Sequence, residues 1–154
     1  MARDNKNLQE QPVAPRPRSS LILYWSLAFV ALLGLGDATF LTVAHLTGDD
    51  AVCGSALGCS TVLGSSYASM QGVPTAAFGA VAYFTVFSLA VMAAFGYRGM
   101  RRLLVVVVGL MFAASLYFLY LQAFVLHAFC PFCLISAALT FLLAGLLLAF
   151  PVTD

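Results

Sequence analysis

The stretch "FCPFCLISAALTFLLAGLLLAF", residues 129–150, joins a Cys-x-x-Cys pair to a long apolar run. From about Pro131 to Phe150 the run is long enough to cross a hydrocarbon core about 30 Å thick as an α-helix. Pro131 suits the first helical turn, which puts Cys130 near the N-cap and Cys133 within that turn. The helix dipole and free N–H groups there favour a thiolate. We therefore expect Cys133 to be a nucleophile at the lipid boundary.

The rest of the chain has the composition of a membrane protein. Its 154 residues are 62% hydrophobic and 8% charged, with a mean hydropathy of +0.99, which excludes a water-soluble domain. Three further apolar runs, at about 21–46, 75–97 and 103–126, are each long enough to span. The predicted fold class is an all-α integral membrane bundle of four transmembrane helices, formed by residues 20–151.

Two polar regions lie outside these runs. Residues 1–19 carry several prolines and too little apolar surface to offset the entropy of ordering them, so they predict a disordered cytoplasmic tail. Residues 47–74 are rich in Gly and Ser and predict an outward loop between the first and second helices. This loop carries Cys53 and Cys59, and we expect a short half-helix after Cys59.

The basic residues predict the orientation of the bundle. All seven precede the first helix or lie between the second and third: Arg3, Lys6, Arg16, Arg18, Arg98, Arg101 and Arg102. Because Lys and Arg are retained on the cytoplasmic side, we expect both termini in the cytoplasm. The net charge of +1 gives no indication of a nucleic-acid partner.

This topology brings all four cysteines, Cys53, Cys59, Cys130 and Cys133, to the outer face, which is an oxidising compartment. One alternative is two structural disulfides, although a membrane bundle does not need disulfide cross-links between its loops to fold. Another is a zinc or iron–sulfur site, although the Cys-x5-Cys spacing is unlike the short cysteine spacings usual in such sites. Exposed or strained disulfides exchange readily. We therefore predict four catalytic cysteines and no metal.

The sequence resembles the vitamin K epoxide reductase family, whose bacterial members do the work of DsbB-type proteins. The resemblance rests on Cys53-x5-Cys59, Ser65, the turn "GVPTAAFG" at 72–79 and Cys130-x-x-Cys133, and it spans residues 21–150. It implies a four-helix bundle enclosing a quinone, ubiquinone or menaquinone, near the outer face.

The resemblance also implies a route for electrons. Cys53 would be attacked by a separate, exported thioredoxin-like protein of the DsbA type, and the freed Cys59 would attack Cys130. Cys133 would then react with the quinone, so that the protein generates disulfides. An alternative in the same fold is reduction of vitamin K quinone or its epoxide. An alternative from another class is a non-catalytic membrane scaffold or thiol–metal carrier.

The resemblance suggests which residues contact the quinone. Ser65 matches the family's active-site serine or threonine. Thr75 and Ala137 stand where the family often has an Asn and a Tyr that contact the head group; Thr75 can still donate one hydrogen bond, and Ala137 cannot. Independently of the resemblance, an aromatic wall could come from Phe129 and Phe132 beside the cysteines or from Phe78 and Tyr83 on the second helix.

Two other residues have more than one interpretation. Asp37 lies within the first helix, where a charge costs about 2.5 to 3.5 kcal/mol, and we expect it to face the bundle interior. It is either part of a proton route or a protonated hydrogen-bonding group. His127 either assists a thiolate or lies in water.

The short chain favours a bacterial plasma membrane.

Overall fold

The computed structural model of the chain describes residues 18–47, 59–97 and 99–150, with the main chain alone at residues 59 and 60. The predicted tail lies outside the described residues, except for its last two residues, which are helical. Cys53 and the rest of residues 48–58 in the first loop also lie outside them.

The described elements follow one another in a simple order. They are α1 (Arg18–Thr47), α2 (Cys59–Leu63), β1 (Ser69–Met70), β2 (Val73–Pro74), α3 (Thr75–Ala94), α4 (Met100–Tyr120), a π-helical segment (Leu121–Val125) and α5 (Pro131–Ala149).

Four of the described helices are long and apolar enough to span a membrane: α1, α3, α4 with the π segment, and α5. In the ring that they form, α1 packs against α3 and α5, and α4 packs against the same two helices. The most extensive of these contacts is between α1 and α3. The predicted four-helix membrane bundle is confirmed, and so is the short half-helix, which is α2.

The helices alternate in direction, so the two ends of the bundle differ. We call one end the cysteine end, because Cys130 precedes α5 there and α2 lies between α1 and α3 at the same end. The other is the arginine end, where Arg18 begins α1 and Arg101 and Arg102 lie in the first turn of α4.

A small hairpin at the cysteine end is the main departure from the all-α prediction. Strands β1 and β2 pair in antiparallel register, with Met70 opposite Val73. The two residues between them, Gln71 and Gly72, have φ of 54° and 84°, the left-handed geometry that a tight two-residue hairpin requires. The hairpin directs the chain into α3 at Thr75.

The hydrophobic core is concentrated toward the arginine end. Side chains from all four spanning helices interlock there, including Leu27 of α1, Val86 of α3, Leu104 of α4 and Leu143 of α5, each fully buried. A smaller cluster at the cysteine end centres on Leu41 and Cys130. The bundle is therefore closed by packing at one end, which leaves room for a cavity toward the other.

Gly34 of α1 and Tyr83 of α3 are in close contact between the packed core and the cavity. The Tyr83 ring fills the space that a Cβ at position 34 would need. This close approach buries Tyr83 and lets its hydroxyl donate to the Ser136 carbonyl of α5 at 2.7 Å, with Thr140 Oγ1 at 3.0 Å. Gly34 therefore permits a hydrogen-bonded link across the bundle from α3 to α5.

Replacing Gly34 by alanine is expected to destabilise the bundle. The added methyl group collides with the Tyr83 ring, and overpacking of this kind costs about 1 to 3 kcal/mol. Unfolding of the purified protein by SDS in mixed micelles measures the change in the free energy of unfolding.

Gly36→Ala is the matched control, because nothing lies within 4 Å of a Cβ at that position of the same helix. It should unfold at the same SDS fraction as the wild type or a higher one, since alanine favours a helix over glycine. Equal losses in the two variants would mean that the Tyr83 contact is not responsible.

Candidate functional site

A cavity of about 380 Å³ lies between the four spanning helices, on the cysteine side of the packed core. Its wall is mostly apolar and includes side chains from α1 through α5, with Val62 and Leu63 of α2 among them. This volume is within the range of small-molecule sites, which are mostly apolar with a few placed polar groups. The cavity is the candidate binding site.

The Cys-x-x-Cys pair lies at the edge of this cavity. Cys130 is the N-cap of α5 with extended backbone, and Pro131 follows at the first helical position, as predicted. Cys130 is fully buried and packs in the cluster with Leu41 and Val62, whereas Cys133 is part of the cavity wall. One sulfur therefore faces α2 and the other faces the cavity.

The environment of Cys130 favours its thiolate. A hydrogen bond from the Cys133 thiol lowers the pKa of Cys130 to about 7, and the N–H groups of Phe132 and Cys133 act in the same direction against the effect of burial. The sequence interpretation placed the thiolate at Cys133, but the N-cap position of Cys130 gives that residue the helix N–H groups. The two sulfurs act as a coupled pair.

A buried glutamine that the sequence interpretation missed fixes the main chain just before α5 by hydrogen bonds. Gln122 lies in the π segment and is 3% exposed. Its side-chain Oε1 accepts a hydrogen bond from Cys130 N–H at 3.1 Å, and its carbonyl accepts from Ala128 N–H at 3.1 Å. A π segment often marks a functional site. The only signal in the sequence was a polar side chain near the end of an apolar run.

Three of the predicted quinone contacts line the cavity: Ser65, Thr75 and Phe78. The two hydroxyl groups already have acceptors, however. Ser65 Oγ donates to the Val62 carbonyl at 2.7 Å, and Thr75 Oγ1 donates to the Tyr67 carbonyl at 2.9 Å. The Ser65 proton therefore stabilises the end of α2 and the Thr75 proton stabilises the hairpin, so only their oxygen lone pairs remain for a ligand.

The other two predicted aromatic contacts, Phe129 and Phe132, are not among the described residues that line the cavity. Phe132 packs against Phe40 of α1, with ring centroids 5.3 Å apart, and Phe129 is half exposed. Ala137 does line the cavity, and its small side chain leaves space where the family often has a tyrosine.

Asp37 and His127 differ in their surroundings. The Oδ2 atom of Asp37 is buried and has no hydrogen-bond partner among the described residues, so this oxygen faces the protein interior as expected. His127 is exposed in the connection before α5, with a left-handed φ of 49°. Within the described ranges, no group of three or more His, Cys, Asp and Glu side chains is placed to hold a metal ion.

The four spanning helices and the Cys-x-x-Cys pair at the edge of the cavity define a multi-pass membrane protein with a paired-thiol site. The chain belongs to the vitamin K epoxide reductase family, whose family model matches residues 25–148. It is similar to the thiol-disulfide oxidoreductase LTO1 of Arabidopsis thaliana, with 36% identity over 114 residues that cover 68% of this chain. The match covers 30% of that relative's length, which is less than a third. The predicted family is confirmed.

The pKa of Cys130 is expected to depend on Cys133. In a reduced Cys53→Ser/Cys59→Ser protein, the ultraviolet absorbance of the thiolate should rise with pH through a midpoint near 7, because the thiolate predominates above its pKa. Adding Cys133→Ala removes the S–H donor and should move the midpoint upward.

Cys133→Ser is the control for this titration, since its hydroxyl can still donate a hydrogen bond and should cause a smaller rise than alanine. A midpoint that stays near 7 in the alanine variant would show that the helix N–H groups alone stabilise the thiolate.

Proposed function

We propose that this protein oxidises the dithiol of an exported thioredoxin-like protein and passes the electrons to a membrane quinone, so generating disulfides. The observation that supports this most directly is the position of Cys133 in the wall of a mostly apolar cavity, next to Cys130. A cavity among membrane helices suits a lipid-soluble acceptor, and a Cys-x-x-Cys pair supplies two electrons.

Each step of the proposed route is a thiolate attack on a disulfide. A partner thiolate attacks Cys53 of a Cys53–Cys59 disulfide, and the partner's second thiol then resolves the mixed disulfide, leaving Cys53 and Cys59 reduced. Cys59 next attacks Cys130 of a Cys130–Cys133 disulfide, and Cys53 completes the exchange. The inner pair is then the dithiol.

The inner dithiol is reoxidised by the quinone. Formation of the Cys130–Cys133 disulfide releases two electrons and two protons, which together convert a quinone to a quinol. Cys130 has little access to water, because it is fully buried, and Cys133 borders the cavity. This burial favours transfer to a ligand in the cavity over loss to solvent.

The position of α2 supports the transfer between the two pairs. The helix begins at Cys59, and its residues Val62 and Leu63 pack in the cluster that contains Cys130. Cys59 is therefore one helical turn from residues that touch the inner pair.

The charge distribution supports an orientation with both termini in the cytoplasm. Arg18, Arg101 and Arg102 are at the arginine end, and no Lys or Arg occurs in the two connections at the cysteine end. By the positive-inside rule, the cysteine end faces outward. In a bacterium this is the outer side of the plasma membrane, where disulfides form and DsbA-type proteins occur.

Cys133→Ser is expected to abolish quinone-dependent dithiol oxidation. The variant loses the sulfur that closes the inner disulfide, so turnover should fall by at least about 1000-fold, as for loss of a covalent catalyst. Quinone reduction is followed by absorbance with purified protein, a reduced thioredoxin-like protein and either decylubiquinone or a menaquinone analogue.

Leu134→Ala is the matched control, because Leu134 neighbours Cys133 on α5 but is partly exposed and is not among the described cavity residues. It should keep most of the activity. Normal turnover by Cys133→Ser would refute the proposed route. Turnover of vitamin K epoxide with a dithiol, but none of protein dithiols with quinone, would support the epoxide reductase instead.

The orientation is testable with single cysteines in a variant whose four native cysteines are serines. Met70 in the hairpin at the cysteine end and Tyr97 at the arginine end are both well exposed. On intact bacterial cells, a membrane-impermeant maleimide should label Met70→Cys. Tyr97→Cys should be labelled only after the membrane is permeabilised, and the reverse pattern would overturn the orientation.

A further inference from the structure

The orientation of the Gln122 amide follows from its partner. The Cys130 main-chain N–H can only donate, so the atom facing it at 3.1 Å is the acceptor Oε1. The amide NH₂ group is fixed on the other branch of the same planar group. Gln122 therefore presents a donor in a known direction relative to the redox pair.

The NH₂ group of Gln122 has no acceptor among the described residues, and its side chain is part of the cavity wall. The residue as a whole is 3% exposed. The NH₂ group is not one of the fully buried side-chain atoms without a partner in the described residues, so a ligand or water in the cavity can reach it. This donor and the Cys133 sulfur both border the same cavity.

The hydroxyl donors that the sequence predicted in the cavity wall already have acceptors. The hydroxyl protons of Ser65 and Thr75 go to main-chain carbonyls, and Ala137 has no polar group. A quinone has two carbonyl oxygens that accept hydrogen bonds and no donor. A donor in the cavity wall would orient such an acceptor, and the structure leaves the Gln122 amide available for this.

We propose that Gln122 has two roles: its Oε1 positions the Cys130 main chain, and its Nε2 donates a hydrogen bond to a carbonyl oxygen of the electron acceptor in the cavity. The proposal rests on the quinone-reducing function argued above. It makes one side chain responsible for both the placement of the inner pair and the orientation of the acceptor beside it.

The two roles have different consequences for the reaction. A donor aimed at a carbonyl oxygen stabilises the negative charge that develops there as electrons arrive. The acceptor Oε1 satisfies an N–H at the start of α5 that a helix cannot satisfy itself. Removal of the whole amide should therefore affect both binding of the acceptor and turnover.

The first test is Gln122→Leu, which has similar size and no hydrogen-bonding group. With the purified full chain, a reduced thioredoxin-like protein and decylubiquinone, the KM for the quinone should rise about tenfold, as expected for a lost hydrogen bond. The kcat should also fall, because the Cys130 N–H loses its acceptor. A KM equal to that of the wild type would overturn the proposal.

Gln122→Glu separates the two roles. An ionised carboxylate can still accept from Cys130 N–H but cannot donate to a quinone, so the KM should rise as in Gln122→Leu. As the pH is lowered and the carboxyl group gains a proton, it becomes a donor again. The ratio of the variant's KM to that of the wild type should then fall toward one, a pH dependence that a merely structural role does not produce.

The glutamate variant also decides the case if Gln122→Leu does not fold, since a KM ratio that is constant with pH would contradict the proposed donor. Phe124→Leu, on the exposed side of the same π segment, is the control for general disturbance and should keep the wild-type KM. If the wild type itself reduces no quinone, the proposed function fails. If it does and both Gln122 variants keep its KM, only this inference fails.

Discussion

The lack of water inside a bilayer is the constraint on which this structure depends, because each main-chain polar group there needs a partner within the protein. Continuous helices meet this requirement along most of the chain. Main-chain groups lack helical partners where a helix ends, and the end of the π segment and the start of α5 are two such ends that lie close together. Gln122 satisfies the Cys130 N–H there. The same constraint explains why the Tyr83 hydroxyl reaches across to Ser136 and Thr140.

The two halves of the bundle differ in packing: the half at the arginine end is tightly packed, and the half at the cysteine end contains the cavity. At the arginine end, large apolar side chains from all four helices interlock. Toward the cysteine end, the wall is thinned by small side chains such as Ala76 and Ala137, and the space between the helices stays open. The tightly packed half fixes the helix axes, so the other half can keep a cavity and a reactive pair without losing the fold.

Hydropathy and charge were sufficient to predict the four helices, because a 30 Å core requires long apolar runs and the runs here are unmistakable. The positions of Cys130 and Pro131 at the start of α5 also followed from local rules. The hydrogen bond of Thr75 did not, since it depends on a hairpin whose two strands are only two residues each. The hydrogen bond of Ser65 depends on where the short helix α2 ends. The part played by Gln122 could not be predicted either, because it depends on a local π geometry that leaves no periodicity in the sequence.

The contact between Gly34 and Tyr83 has a consequence for how this sequence can change. The two residues lie far apart in the chain, yet the ring of one fills the volume that any side chain on the other would need. A larger residue at position 34 is compatible only with a smaller one at position 83, which would also give up the hydroxyl that reaches α5. Related proteins should therefore vary at these two positions together, and natural variation should preserve their combined volume more closely than either residue alone.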